Sequence, residues 1–415
     1  MAKKIQLILI LASSILLFNS CDPSYFREFP RYLLPPPSPQ FDGLVFVHDT
    51  SNGTLCDEII SLAPNGTSLC EKITKSCVCK NGVVTYQLDE SILNRGDLQS
   101  GIYASKGGSN GGSSIGLNYL IPIYPNEYIS KINPNLPTPS YSLRSNTKFD
   151  KTLPTIRIGI VDDSVSEEFI NQIVNRTKGQ VQISNESCYS DEQSDSFHGE
   201  QVTFVLIQEL LDQGVKNPIE IIVVDVVEET NSIPYVSSFK LMCALNLIDS
   251  DDITYVNMSL GFKHKVPQLL NQIQAISHER EIKITASLGN DNLQLIENSC
   301  GVNDLDSILS INLPAQYSHC DLNQGVIYPV MGIEFNDNRI VEWRTDERVG
   351  TNYITGYPTY GDLASYDGIP AKYYGTSYSA PRVLAKIIAR CQFTNQGIVI
   401  NNQNISTSVG CIVQN

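Results

Sequence analysis

From Pro154 onward, strand-length apolar runs alternate with amphipathic segments, and this alternation narrows the available folds more than any other feature of the 415-residue chain. IRIGIVD, IEIIVVDVV, ITYVNMSL and IKITASLG are almost continuously apolar, as strands buried on both faces must be. Between and around them, VSEEFINQIVNRT, HGEQVTFVLIQELLDQG, PYVSSFKLMCALNLI and VPQLLNQIQAISHER carry helical spacing. Strand and helix in alternation predict an α/β domain, a parallel sheet with helices on both faces. In such sheets, sites form at the carboxyl ends of the strands.

Three polar motifs fall at those ends or at helix starts. Asp162 closes the first strand in IGIVDDSVS, with Asp163 beside it as an alternative for the same role. A carboxylate there either caps the next helix or orients an imidazole. His198, in SFHGEQVTFV, alone among five histidines precedes a glycine at a helix start. Ser377 lies in GTSYSAPRVLA, ahead of an apolar helical pattern. Serine there is an ordinary N-cap, yet a helix start also favours developing negative charge, which suits a nucleophile.

Asp, His and Ser in this order on an alternating α/β scaffold resemble the subtilisin-like serine proteases, the subtilases. The resemblance spans about residues 154 to 393. The family's Asp-Ser/Thr-Gly corresponds to Asp162-Asp163-Ser164, its His-Gly-Thr-His-Val to His198-Gly199-Glu200-Gln201-Val202, and its Gly-Thr-Ser-x-Ala-x-Pro to the stretch from Gly375 to Pro381. VNMSLG resembles the strand that pairs with substrate backbone, so Ser259, Leu260 and Gly261 are the implied substrate-binding residues. SLGN implies Asn290 as the oxyanion donor. The resemblance implies a subtilisin-like fold and endopeptidase chemistry on protein or peptide substrates: Ser377 as nucleophile, His198 as general base and Asp162 as its orienting partner. It implies no required cofactor. Calcium is frequent in the family, but the chain has no oxygen-ligand loop of the EF-hand type. Among the departures from the pattern, Ser164 replaces a glycine, Gln201 the second histidine and Phe262 a second glycine. None is a reacting group. H-E-x-x-H is absent, which argues against zinc-dependent proteolysis. A catalytically weak binding or scaffold module on the same fold is the alternative function.

The rest of the chain bears on location. A net charge of −15 argues against nucleic-acid binding. MAKKIQLILILASSILLFNSC has a basic start and an apolar run from Ile5 to Phe18, too short for a membrane span of ~20 residues, so it predicts an export signal. The bulk of Phe18 favours a lipoprotein signal over residues 1–20 with Cys21 as the lipid-bearing anchor; a plain secretory signal is the alternative. Membrane association is then through that lipid alone. Eleven cysteines less Cys21 leave ten, an even number suited to disulfides in an exported chain. Cys56, Cys70, Cys77 and Cys79 cluster, and match no zinc spacing well.

Residues 22–40 are proline-rich and predict an extended tether. Residues 41–120 form a small cysteine-containing region with short β-like runs (LVFVHDT, VVTYQL) and a glycine-rich loop, to be read as propeptide or accessory module. Residues 121–153 read as a linker, and 154–415 as the catalytic domain.

Overall fold

The structure is a computed structural model. It describes residues 40–49, 73–78, 83–88, 114–122, 141–143, 148–186, 198–230, 233–251, 253–260, 267–279, 281–287, 315, 326–336, 339–343, 355–358, 360–366, 369–374 and 376–391. In chain order the elements are β1 (Gln40–Asp49), β2 (Ile73–Val78), β3 (Val83–Leu88), β4 (Ser114–Pro122), β5 (Ile156–Asp162), α1 (Glu167–Arg176), β6 (Val181–Asn185), α2 (His198–Asp212), β7 (Ile219–Asp225), β8 (Val227–Thr230) and β9 (Ile233–Ser237). They continue as α3 (Ser238–Ser250), β10 (Tyr255–Met258), α4 (Pro267–Glu279), β11 (Lys283–Ser287), β12 (Ile327–Asn336), β13 (Arg339–Trp343), β14 (Thr355–Pro358), β15 (Tyr360–Tyr366), β16 (Ile369–Tyr374) and α5 (Thr376–Cys391).

The main sheet runs β13-β12-β11-β10-β5-β7-β6, with β14 also paired to β12. The six strands from β12 to β6 are mutually parallel, while β13 is antiparallel to β12. The expected α/β class, a parallel sheet between helices, is the observed one. Side chains alternate across it. Ile158 and Ile160 of β5, with Ile221 and Val223 of β7, enter a core shared with α1, α2 and α5. Val161, Ile222 and Val224, from the same strands, enter the opposite core with α3 and α4. Each such buried side chain stabilises by about 1.5–3 kcal/mol, which is why these runs tolerate almost no polar residue.

The helices start and stop for local reasons. Ser166 caps α1 by accepting the Phe169 N–H at 3.1 Å, and Phe169 and Ile173, one turn apart, are its buried face. Gly214 ends α2 at φ 75°, a conformation that a side chain would strain. Ser237 caps α3, its hydroxyl accepting the Lys240 N–H at 3.4 Å.

Helix α3 is buried along most of its length because a second sheet covers its outer side. That sheet is antiparallel, in the order β2-β3-β1-β4-β9-β8. Its first four strands come from the N-terminal region and its last two from between β7 and α3, so backbone pairing of β4 with β9 crosses the sequence boundary near residue 120. PYVSSFKLM, expected to be helical from Pro234, therefore begins as strand and turns to helix only at Ser238. The predicted linker also contributes to the core: Tyr141 is 1% exposed, edge-on to Phe169 with ring centroids 4.8 Å apart. None of the described helices is long and apolar enough to cross a membrane.

Candidate active site

The parallel strands change direction of propagation at β5: the chain leaves toward β6 on one side, and from β10 it proceeds to β11 on the other. A crevice at the carboxyl ends of β5 and β10 follows from that reversal. Asp162 is the last residue of β5, and Ser259 follows β10. His198 opens α2, and Ser377 is the second residue of α5.

Asp162 and His198 meet directly. The carboxylate Oδ1 lies 2.6 Å from the imidazole Nδ1, with both residues nearly inaccessible to solvent, and also accepts the Asp163 N–H at 2.9 Å. Asp163 points elsewhere. Its Oδ1 accepts the Gly199 N–H, so it caps α2 one residue beyond the histidine. Burial foremost, and then the Asp162 charge, push the Asp163 carboxyl well above the usual carboxylate range; Asp225, which ends β7 beside Asp162, adds to this, while His198 and the Gly199 N–H oppose it. Gly199 is required by space. A Cβ there would lie 2.3 Å from the Asp163 carbonyl oxygen, a distance no side chain tolerates.

Glu200 and Gln201, the next two residues of the histidine motif, are built into this arrangement. Glu200 turns away from His198: its Oε1 accepts the Ser166 N–H at 3.0 Å and its Oε2 the Tyr141 hydroxyl at 2.9 Å. Burial raises its carboxyl, while these hydrogen bonds favour the charged form. Gln201 accepts the Tyr378 hydroxyl at 2.6 Å, and the Tyr378 ring sits 6.0 Å from that of His198. The residue following Ser377 thus ties the start of α5 to the start of α2.

Ser377 is held from the side of β10. Pro381, inside α5, has no N–H to give the carbonyl four residues back, which belongs to Ser377. The Ser259 hydroxyl takes that place, donating to the Ser377 carbonyl at 2.7 Å, and the Ser377 hydroxyl donates in return to the Ser259 carbonyl at 2.9 Å. Ser259 Oγ accepts from Asn257 Nδ2 at 2.8 Å, and Asn257 Oδ1 accepts the Thr285 hydroxyl at 3.1 Å. A polar chain therefore runs from β11 through β10 to the start of α5, inside an apolar interior where every member must be satisfied. Leu260 is buried beside it.

Asn257, Thr285, Gln201 and Tyr378 were not singled out from sequence as site residues. Asn257 and Thr285 carried a usable signal, being polar residues within apolar strand runs. Gly261, Asn290 and Cys21 lie outside the described residues. Among the described residues, no group of three or more His, Cys, Asp or Glu side chains is placed to hold a metal ion.

What the fold brings together is a buried carboxylate bonded to an imidazole at the end of β5, and a serine near the start of α5 that is bonded to Ser259 after β10. No protein-family model matches the chain, and no curated protein matches it. Solved structures do. The epidermin leader peptide processing serine protease of Staphylococcus aureus aligns at 13% identity over 89% of this chain and 96% of its own, with a TM-score of 0.45. The nisin leader peptidase of Lactococcus lactis aligns at 16% identity over 59% of this chain and 78% of its own, with a TM-score of 0.36. A Pseudomonas sedolisin, a serine-carboxyl proteinase, aligns at 14% identity over 61% of this chain and 81% of its own, with a TM-score of 0.37.

Proposed function

We propose that this protein is a serine endopeptidase of the subtilase type. The observation that carries the reading is the 2.6 Å contact between Asp162 Oδ1 and His198 Nδ1. Held by Asp162, the imidazole keeps its proton on Nδ1 and leaves Nε2 as base. Nε2 takes the Ser377 hydroxyl proton as Oγ attacks the scissile carbonyl, then returns it to the leaving amine as the acyl-enzyme forms. Water, activated by the same nitrogen, hydrolyses the ester. The Ser377 backbone N–H and the Asn290 side chain stabilise the oxyanion in both halves. Ser259, Leu260 and Gly261 lie along the substrate chain.

A fluorophosphonate, which labels only an activated serine, tests this reading: covalent labelling that maps to Ser377 is expected, and an unlabelled protein under native conditions rejects it. Asn290→Ala should keep the label yet lower turnover about 10²- to 10³-fold, because only an oxyanion donor is removed. A loss under about threefold would place Asn290 outside the hole.

One observation favours a second reading, a catalytically weak binding module. Ser377 is only 1% exposed and its hydroxyl is given to the Ser259 carbonyl. The same label separates the two.

Export and anchoring complete the proposal. They rest on the basic start, the short apolar run and Cys21. Mass spectrometry of the mature protein should find Cys21 as its lipid-bearing N-terminus, and an unmodified Cys21 would reject the anchor.

A further inference from the structure

The second sheet is keyed to the parallel-sheet domain along one strip. On β2, Lys75 and Cys77 are two residues apart and so face the same way. Lys75 Nζ reaches Glu228 Oε2 of β8, the last strand of the same sheet, at 3.4 Å. Cys77 lies across from Thr85 of β3. Thr85 Oγ1 accepts from Asn246 Nδ2 of α3 at 2.8 Å, and Asn246 is three residues after Cys243, on the same helix face. This register brings the Cys77 and Cys243 thiols together as hydrogen-bonding neighbours, with Thr85 hydrogen-bonded to Cys243 as well. Cys77 and Cys243 are 0% and 1% exposed, and both belong to the core that α3 and α4 share with the second sheet. Neither is in a disulfide here.

We propose that Cys77 and Cys243 are a disulfide site that covalently joins the N-terminal strands to helix α3 of the parallel-sheet domain. Spacing alone leaves the pairing of the early cysteines open, and the fold sets Cys77 against a cysteine of α3.

The oxidant is a second disulfide, that of glutathione or of a thiol oxidoreductase. The Cys77 thiolate attacks it, releasing one thiol and leaving a mixed disulfide. Cys243 Sγ then attacks the Cys77 sulfur, displacing the second thiol. Two protein thiols lose two electrons and two protons, and the oxidant's S–S bond becomes two thiols. Burial, followed by the adjacent Cys77, pushes the Cys243 thiol well above its usual range, so little thiolate exists once the strands are docked. The bond therefore forms as the strands dock, and afterwards the same burial shields it from reduction. A cut in the chain between β4 and β5 would then leave two pieces still joined. The inference relies on the export reading only for where the oxidant is met, and not on the protease reading.

The test supplies the oxidant. The full-length chain is unfolded, reduced and refolded with oxidised and reduced glutathione. It is then alkylated and digested without reductant, and its peptides are read by mass spectrometry. A linked pair containing Cys77 and Cys243 is expected. Cys77 joined to Cys56, Cys70 or Cys79, or both cysteines recovered alkylated, overturns the proposal. In a second arm, a specific endoprotease site is inserted between Pro122 and Tyr141 and cleaved. The two pieces should migrate as one band without reductant and separate with it, whereas Cys243→Ser should separate in both lanes. Separation of the unsubstituted protein without reductant also overturns it. The peptide map of the unsubstituted chain decides the matter even if the Cys243→Ser chain fails to fold.

Discussion

Replacing Ser377 with alanine should lower kcat for peptide hydrolysis by about 10⁶-fold, the scale on which a triad loses turnover when its nucleophile is removed. Oxyanion binding and substrate positioning alone leave about 10³- to 10⁴-fold over the uncatalysed reaction, so a small residue of activity is expected. The fold should survive. The substitution deletes the hydroxyl given to the Ser259 carbonyl, a hydrogen bond worth about 1 kcal/mol, while the reciprocal bond from Ser259 Oγ reaches the backbone carbonyl of residue 377 and is kept. Alanine also suits a helix better than serine. Steady-state hydrolysis of a peptide library and thermal unfolding, run side by side, check both halves of this expectation. Undiminished turnover would remove Ser377 from the mechanism. Lost turnover accompanied by a large drop in Tm would assign the residue a structural role only.

The parts of this fold legible in sequence are those governed by local rules. β5, β7, β10 and β11 were readable because strands buried on both faces leave continuous apolar runs, and α1 and α4 because their apolar residues repeat at helical spacing. The helix starts at His198 and Ser377 were legible for the same reason, and with them the polar residues that a strand-end crevice collects. What escaped depends on distant partners. β9 spans only Ile233–Ser237, and it pairs with β4, more than a hundred residues earlier, an arrangement with no local signature. Tyr141 looked like linker because its neighbours are prolines and polar residues; its burial comes from Phe169, Phe204 and Glu200, which the fold brings to it. Gln201 looked like a lost histidine until Tyr378, 177 residues away, supplied its hydrogen bond. The cysteine pair at residues 77 and 243 is the same kind of fact.

Adjacent aspartates at the end of β5 should separate cleanly under substitution, because the same side chain serves two different atoms. Asp162→Asn leaves the shape of the site in place but offers His198 an amide where it needs an acceptor, favouring the wrong imidazole tautomer. The expected loss in kcat is about 10⁴-fold. Asp163→Asn retains an oxygen for the Gly199 N–H, and so should cost little in turnover. Its effect should appear in stability against pH. A carboxyl raised on folding binds its proton more tightly in the native state than in the unfolded one. It therefore contributes stability that is complete below the unfolded value of about 3.9 and is lost as pH rises through the higher folded value. Asparagine has no proton to lose. Near pH 4 the variant and the parent should unfold at similar temperatures, and with increasing pH the variant should become the more stable of the two. Thermal melts across that range, with peptide hydrolysis measured in parallel, test both residues at once. A crippled Asp163→Asn beside an active Asp162→Asn would exchange their roles. A melting difference that stays constant with pH would show that Asp163 ionises as freely in the folded protein as in the unfolded chain, despite its burial.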